Sequence, residues 1–284
     1  MNTYWVLENI REHDSFYNKL DILLLLSSVY LWKKNHPSYT TNLSVDKLTF
    51  ELLESIYGTQ LWDNVEILPK NNSIDKSVFW ASAKLEKLRY VNGPAIIMDH
   101  DFLVYKNLSK YFNDKPFFCH EENGKHYYDT SWNPFIREIS HIVSRPKPHA
   151  INCCFCYFPD SNFTNMYAKT SIELMQKFTE LKVPNSRFLV FAEQLLLKHL
   201  LDFHNVKYDT LLNERWNAKG KFYEENDKGH ISFDNSFTTY RHYWMEKPKI
   251  KQSKEGFSLE GEVNILNNIL SNTTVNLQYI NDAL

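Results

Sequence analysis

A chain of 284 residues, 43% hydrophobic and 15% aromatic, holds enough apolar material for one large packed domain and is not the polar chain of a disordered protein. Its 32 Lys and Arg stand against 34 Asp and Glu, a net charge of −2, which excludes the basic excess of a general nucleic-acid binder. Cys153, Cys154 and Cys156 are crowded too closely to pair with one another and Cys119 stands apart; with no secretory signal ahead of them, a reducing, cytoplasmic compartment is expected. In that setting the sequons at Asn42 and Asn162 carry no meaning.

In chain order, Thr3 to Glu8 reads as a first strand and Ser15 to Asn35 as a long helix ending before Pro37. The apolar run inside that helix, Ile22 to Trp32, is about 11 residues, roughly half a membrane crossing. Asp21 and Lys33-Lys34 bracket it, so a buried helix and no membrane span are expected. Leu43 to Val45 is a second strand, Asp46 to Tyr57 a helix closed by Gly58, and Val65 to Leu68 a third strand. Ser77 to Val91 carries Val78, Ala81, Leu85 and Leu88 at helical spacing before Asn92-Gly-Pro breaks it. Ala95 to Met98 is too short for a helix and reads as a buried central strand, and Phe102 to Val104 continues apolar. Later come a strand over Ala150 to Phe158, helices over Phe163 to Leu181 and Ala192 to Phe203, and a short strand at Val206 to Tyr208. Asn213 to Tyr240 is polar and loop-like, and a last helix falls near Leu259 to Leu270. This alternation predicts an α/β fold with a mixed, mainly parallel sheet flanked by helices, as a single domain over 1–250 with a C-terminal helix and tail over 251–284.

The chemistry concentrates at Asp99-His100-Asp101, at the carboxyl end of the Ala95 strand, where open α/β sheets bind their ligands. Two carboxylates two residues apart can face one hard cation, while on an extended segment His100 points away. The plain alternative is a solvated turn. A second group, Arg241-His-Tyr-Trp-Met-Glu-Lys-Pro248, sets His242 and Lys247 close together. A neutral imidazole suits a metal and an ammonium suits a diphosphate oxygen; as isolated residues both would be ordinary surface groups. Cys153-Cys-Phe-Cys156 lacks a second pair for zinc and reads as small buried hydrophobes. His120-Glu-Glu122, with His126 and Asp129, forms a polar stretch that is either a flap or a solvated loop. Tyr127, Tyr128, Trp132, Trp216, Tyr243 and Trp244 are aromatic faces for sugar stacking or core.

On these residues the sequence resembles GT-A glycosyltransferases of the glycogenin and lipopolysaccharide-galactosyltransferase type. Those enzymes have a helix with a basic residue, a hydrophobic strand ending in Asp-x-Asp, and a late His-Tyr-…-Lys-Pro motif. The resemblance implies that Asp99, Asp101 and His242 bind Mn²⁺ or Mg²⁺, that Lys247 holds the diphosphate, and that Lys84 is the basic donor-binding residue. Two departures stand out: the His-to-Lys spacing is one residue short, and Trp244 and Met245 replace the motif's glycine. Trp80-Ala81-Ser-Ala-Lys84, Ile151-Asn-Cys-Cys-Phe155 and Ala192-Glu-Gln194 are similar to a bacterial and viral glycosyltransferase-like group. That likeness makes Glu193 and Gln194 candidates to orient sugar or acceptor, or else an acidic first turn of a helix, and Asn152 either a sugar ligand or a satisfied buried amide.

The implied function is transfer of a hexose or related sugar from a nucleoside-diphosphate donor, uridine favoured, to a glycan or lipid-linked acceptor. The likeness leans toward retention of configuration; Glu193 and Asp129 are the bases an inverting route would use. The rival is a catalytically inactive carbohydrate- or nucleotide-binding protein on the same fold. A metal-dependent phosphotransferase or hydrolase would gather more carboxylates around two metals.

Overall fold

The computed structural model describes residues 1–8, 15–69, 73–123, 137, 140–141, 149–183, 187–211, 216–217, 239–243, 247–252, 258–278 and 280. The first half runs β1 (Asn2–Leu7), α1 (Ser15–Asn35), β2 (Thr40–Val45), α2 (Lys47–Ser55), β3 (Asn64–Ile67), α3 (Ser82–Leu88), β4 (Ala95–Met98), β5 (Phe102–Val104), β6 (Phe117–Phe118) and β7 (Glu121–Asn123). After it come β8 (His149–Ile151), β9 (Phe155–Phe158), α4 (Ser161–Glu180), α5 (Arg187–Val190), a π turn (Phe191–Leu195) and α6 (Leu196–Phe203). The chain finishes with β10 (Asp209–Thr210), β11 (Trp216–Asn217), β12 (Tyr240–His242), α7 (Lys247–Lys251) and α8 (Leu259–Leu270). The chain divides into two compact units, each assembled from separated segments: residues 1, 69–98 and 110–226 in the first, and 2–68, 99–109 and 227–284 in the second.

In the second unit, β1 pairs in parallel with β2, and β2 with β3. α1 is apolar nearly all round, with Leu23, Leu24, Leu25, Leu26 and Trp32 fully buried, as a core helix must be. The two serines that interrupt its apolar run are buried too, and Ser28 links the layers: it accepts from Trp5 Nε1 at 2.9 Å and donates to the Phe102 carbonyl at 2.7 Å. Asp46 caps α2 through the Thr49 amide and Ser258 caps α8 through the Gly261 amide, each satisfying an otherwise unpaired N–H of a first turn.

In the first unit the strands lie in the order β10-β6-β9-β4, and β11, β7 and β8 form a three-stranded sheet. β9 runs antiparallel to both its neighbours, whereas β10 is parallel to β6. All four residues of β4 and of β9 are buried, the signature of strands covered on both faces. The amphipathic helix α4 packs on β9 through Tyr167, whose ring lies 6.0 Å from that of Phe158; its Phe178 stacks against Phe79 and meets Phe188 and Phe191 edge-on. The α/β class and the mixed, mainly parallel sheet flanked by helices are thus as the alternation predicts.

Several elements differ from expectation for local reasons. The helix expected from Ser77 begins at Ser82, because the Asp75 carboxylate takes the Ser77 amide and hydroxyl at 3.0 and 2.6 Å and closes a turn first. The single strand expected over Ala150 to Phe158 is two strands, divided where Asn152 Oδ1 accepts from the Cys154 amide at 3.0 Å. The strand expected at Val206 to Tyr208 starts at Asp209, since Asn205 takes φ 52° and the Val206 amide returns to the Leu201 carbonyl to finish α6. α2 ends before Tyr57, which itself adopts the left-handed φ of 56°. Gly58 is needed for contact instead: a Cβ there would lie 3.0 Å from Leu26 Cδ2. All four cysteines are free and buried, as the sequence suggests for Cys153, Cys154 and Cys156. Among the described residues no helix is long and apolar enough to cross a membrane.

Candidate metal centre

The site begins where β4 stops. Asp99, His100 and Asp101 form a turn, with the Phe102 amide bonded to the Asp99 carbonyl at 3.2 Å. The chain then leaves as β5, which pairs antiparallel with β12 in a register that sets His242 opposite Phe102. The Tyr243 amide donates to the Asp101 carbonyl at 3.1 Å, fastening the strand to the turn. The His242 ring packs edge-on against Phe102, and Tyr240 stacks on the same ring. Strand register therefore brings a histidine from late in the chain to the acidic pair.

Ligand-type atoms of Asp99, Asp101 and His242 all lie within 4.8 Å of one another, and His242 Nε2 stands 3.6 Å from Asp101 Oδ1. Atoms about 2.1 Å from a shared octahedral cation are about 3.0 Å apart when adjacent and about 4.2 Å when opposed. The observed gap is of that size, so oxygen, oxygen and imidazole nitrogen fit Mn²⁺ or Mg²⁺ with side-chain adjustments of under about 1 Å.

Lys247, the first residue of α7, completes the cluster. Its ammonium lies 2.9 Å from Asp101 Oδ2, 2.6 Å from Asp21 Oδ1 and 3.2 Å from His100 Nε2. Burial pushes the Asp101 carboxyl up, but Lys247, His100 and His242 outweigh it and hold that group well below the usual carboxylate range. The same contest, burial against His100 and Lys247, leaves Asp21 at about 2. For Lys247 burial pulls down, and Asp101 and Asp21 prevail, raising the ammonium above its ordinary value. With Asp21, Asp99 and Asp101 negative and Lys247 positive, the four groups carry a net −2, the charge one divalent cation would offset.

Two of these residues correct the sequence reading. His100 does not point away: the turn swings it to 3.1 Å from Asp21 Oδ1. Asp21 is a site residue that no motif marks; its signal is an acid at the start of the apolar, buried run of α1. The side chain of Tyr243 is wholly buried and does not offer a face for sugar. Its hydroxyl donates to Glu262 Oε2 at 3.0 Å, and Arg241 Nη2 reaches Glu262 Oε1 at 3.2 Å with the guanidinium over the Tyr243 ring. Side chains alternate along a strand, so β12 turns His242 toward the acidic pair and Arg241 and Tyr243 toward α8.

The remaining candidates lie in the first unit. Lys84 Nζ is 2.6 Å from Glu193 Oε1 and donates to the Cys153 carbonyl at 3.1 Å, a buried ion pair. Glu193 is not in a first turn: α5 starts at Arg187 and runs on through the π turn that holds Glu193 and the half-buried Gln194. Such an extra-residue turn re-aims the side chains it carries, and π turns recur at functional sites. Asn152 sits in the break between β8 and β9, with its amide nitrogen donating to Glu122 Oε1 at 2.6 Å and its oxygen holding the Cys154 amide. That makes it a satisfied buried amide that locks a turn. His120 and Glu122 are buried at the edge of this cluster, 3.4 Å apart, and are no solvated loop. Lys84, Glu193, Asn152 and Glu122 thus fall in one unit, and Asp99, Asp101, His242 and Lys247 in the other. His126, Tyr127, Tyr128, Asp129, Trp132, Trp244 and Met245 lie outside the described residues, as does the side chain of Trp216.

Fold and cluster define an α/β protein with a built, cation-sized acidic site. The chain belongs to the family described as "Family of unknown function (DUF6734)", whose model matches residues 62–258. No curated protein matches it. Among solved structures it is similar to a galactosyltransferase, LgtC, in complex with donor and acceptor sugar analogues, at 9% identity and TM-score 0.48, over 94% of this chain and 96% of that one. It is also similar to mouse xyloside xylosyltransferase 1, at 12% identity and TM-score 0.44, over 87% and 99% of the two chains. A third is the glycosyltransferase GlyE of Streptococcus pneumoniae TIGR4, at 12% identity and TM-score 0.45, where 95% of this chain spans 63% of that one. At such identities and scores the reading rests on the side chains.

Proposed function

We propose that this chain is a metal-dependent glycosyltransferase that takes a sugar from a nucleoside-diphosphate donor, uridine diphosphate favoured, to a hydroxyl of a glycan or glycolipid. The observation that carries the proposal is the convergence of Asp99, Asp101 and His242 ligand atoms within 4.8 Å, with the Lys247 ammonium 2.9 Å from the same Asp101. Asp99, Asp101 and His242 would hold Mn²⁺ or Mg²⁺, which when bound supplies Lewis-acid neutralisation of the departing diphosphate. Lys247 donates to a diphosphate oxygen, a task suited to a compact point charge. Burial of Asp101 and His242, with Lys247 half-buried beside them, strengthens each of these interactions by keeping bulk water away.

In the same proposal Glu193 and Gln194 orient the sugar, with Lys84 fixing the Glu193 carboxylate and Asn152 shaping the turn beside it. A carboxylate held by an ammonium at 2.6 Å is a poor general base, which favours retention over a route through Glu193. The test is incubation of the protein and Mn²⁺ with a panel of nucleotide sugars, read by mass spectrometry for released nucleoside diphosphate. Slow donor hydrolysis that stops with EDTA supports transfer. Metal-dependent nucleotide binding without any release, across donors and acceptors, supports the inactive binding protein instead.

A further inference from the structure

The Lys247 ammonium is gripped by two carboxylates, Asp21 Oδ1 at 2.6 Å and Asp101 Oδ2 at 2.9 Å, with His100 Nε2 at 3.2 Å. In this state both carboxylates compete with any incoming anion for the lysine. Asp21 makes the shorter of the two ion pairs, and it is the carboxylate of that pair that no metal-binding role explains, because it stands on α1 and is not among the three converging ligand atoms. Its side chain is 16% exposed, so its charge is only partly screened by water.

We propose that Asp21 is a specificity-determining residue that makes anion binding at this site conditional on the cation. The inference rests on the diphosphate reading of Lys247. Without a cation, Asp21, Asp99 and Asp101 present three negative charges against one ammonium, and they both repel a diphosphate and occupy the lysine that would receive it. A cation held by Asp99 and Asp101 would draw Asp101 off Lys247 and cancel two of those charges. Asp21 would then be the carboxylate still holding the ammonium, and a multiply charged diphosphate would displace it. The site thereby discriminates the metal–diphosphate complex from free phosphates and other small anions, which bring no cation of their own.

The variant is Asp21→Asn, which keeps volume and an acceptor oxygen while removing the charge. UDP affinity is measured by calorimetry on the full chain, once with Mn²⁺ and once with EDTA, and thermal melting checks that the variant is folded. The expected result is that metal-free UDP binding tightens by about tenfold or more, whereas binding with Mn²⁺ changes by less than about threefold, so the metal dependence shrinks. In Asp21→Asn/Lys247→Met the metal-free gain disappears, because it passes through the lysine. Unchanged metal-free affinity in a folded Asp21→Asn variant overturns the proposal, as does equal weakening in both conditions, which marks Asp21 as mere support for Lys247. Should Asp21→Asn prove unfolded, Asp21→Ser is measured in the same two conditions: unchanged metal-free affinity in the folded protein refutes the gate, and a metal-free gain that Lys247→Met removes upholds it. If wild type binds UDP in neither condition, the diphosphate reading itself fails and this inference falls with it.

Discussion

Acidification from pH 6.5 to 4 should weaken the fold chiefly through His36, with His199, also lowered by burial, adding in the same direction. His36 ends α1 with its ring stacked 3.8 Å from Trp32, Nδ1 facing the Trp32 carbonyl and Nε2 accepting the Leu108 amide at 2.8 Å. That bonding requires the neutral ring, since a protonated Nε2 would oppose the Leu108 N–H. Burial accordingly lowers its pKa to about 4 despite the Trp32 carbonyl, which acts in the other direction. The unfolded chain binds this proton at about 6.5, so below that pH the unfolded state holds more protons and stability falls with pH until the folded ring titrates as well. Lowering the ring from about 6.5 to about 4 is worth about 3 kcal/mol, a large part of a typical domain's stability. The two depressed carboxylates, Asp21 and Asp101, act lower: their stabilisation is present above about 3.9 and is lost as pH falls toward their folded values, so the windows separate. Urea unfolding at pH 7, 6, 5 and 4.5 reads the effect, and His36→Gln should flatten this limb. A wild-type unfolding free energy that is level between pH 6.5 and 4.5 refutes the reasoning.

On the alkaline side His120 predicts the opposite slope: burial lowers its pKa, but Cys119 and Glu122 raise it to about 10, so stability is full below about 6.5 and declines as pH rises toward 10, which urea unfolding at pH 7 to 9.5 measures. Asp99→Asn and Asp101→Asn should each abolish Mn²⁺-dependent UDP binding in calorimetry, and Asp101→Asn alone should also loosen Lys247, seen as a lower melting temperature. Glu262→Ala leaves the buried Arg241 guanidinium without its carboxylate and should cost about 3–5 kcal/mol in urea unfolding, whereas Glu262→Gln should cost less because Tyr243 keeps an acceptor. Lys84→Met should destabilise by a similar amount, and the double change Lys84→Met/Glu193→Leu should recover most of it, since the second substitution removes the orphaned charge.

Much of the α/β alternation is legible in the sequence because it is written in periodicity. Ala95 to Met98 and Leu259 to Leu270 are bounded in the structure as the apolar patterns predict. Asp99, Asp101, His242 and Lys247 were legible as types in a pattern, and it is the β5–β12 register that explains how they meet. What the sequence hides is short-range hydrogen bonding, by polar side chains at two places and by the backbone at the acidic turn. Asp75 cuts α3 short, Asn152 splits one strand into two, and the Asp99 carbonyl turns an extended reading of His100 into a bend. Asp21 was hidden differently: nothing in its own neighbourhood of sequence names a partner, which arrives from residue 247.

The way the second unit is stitched has a consequence for the order in which the protein can mature. A chain leaving the ribosome presents Asp21 first and Asp99 and Asp101 next, while the ammonium of Lys247 and the Glu262 carboxylate that anchors Arg241 emerge well after them. Until then the three acids have no Lys247 beside them and remain in water, because burying them unbalanced would be far too costly. The site therefore closes only once Lys247 has been made, and a nascent chain cannot engage its ligands before the strand and helix that complete it exist.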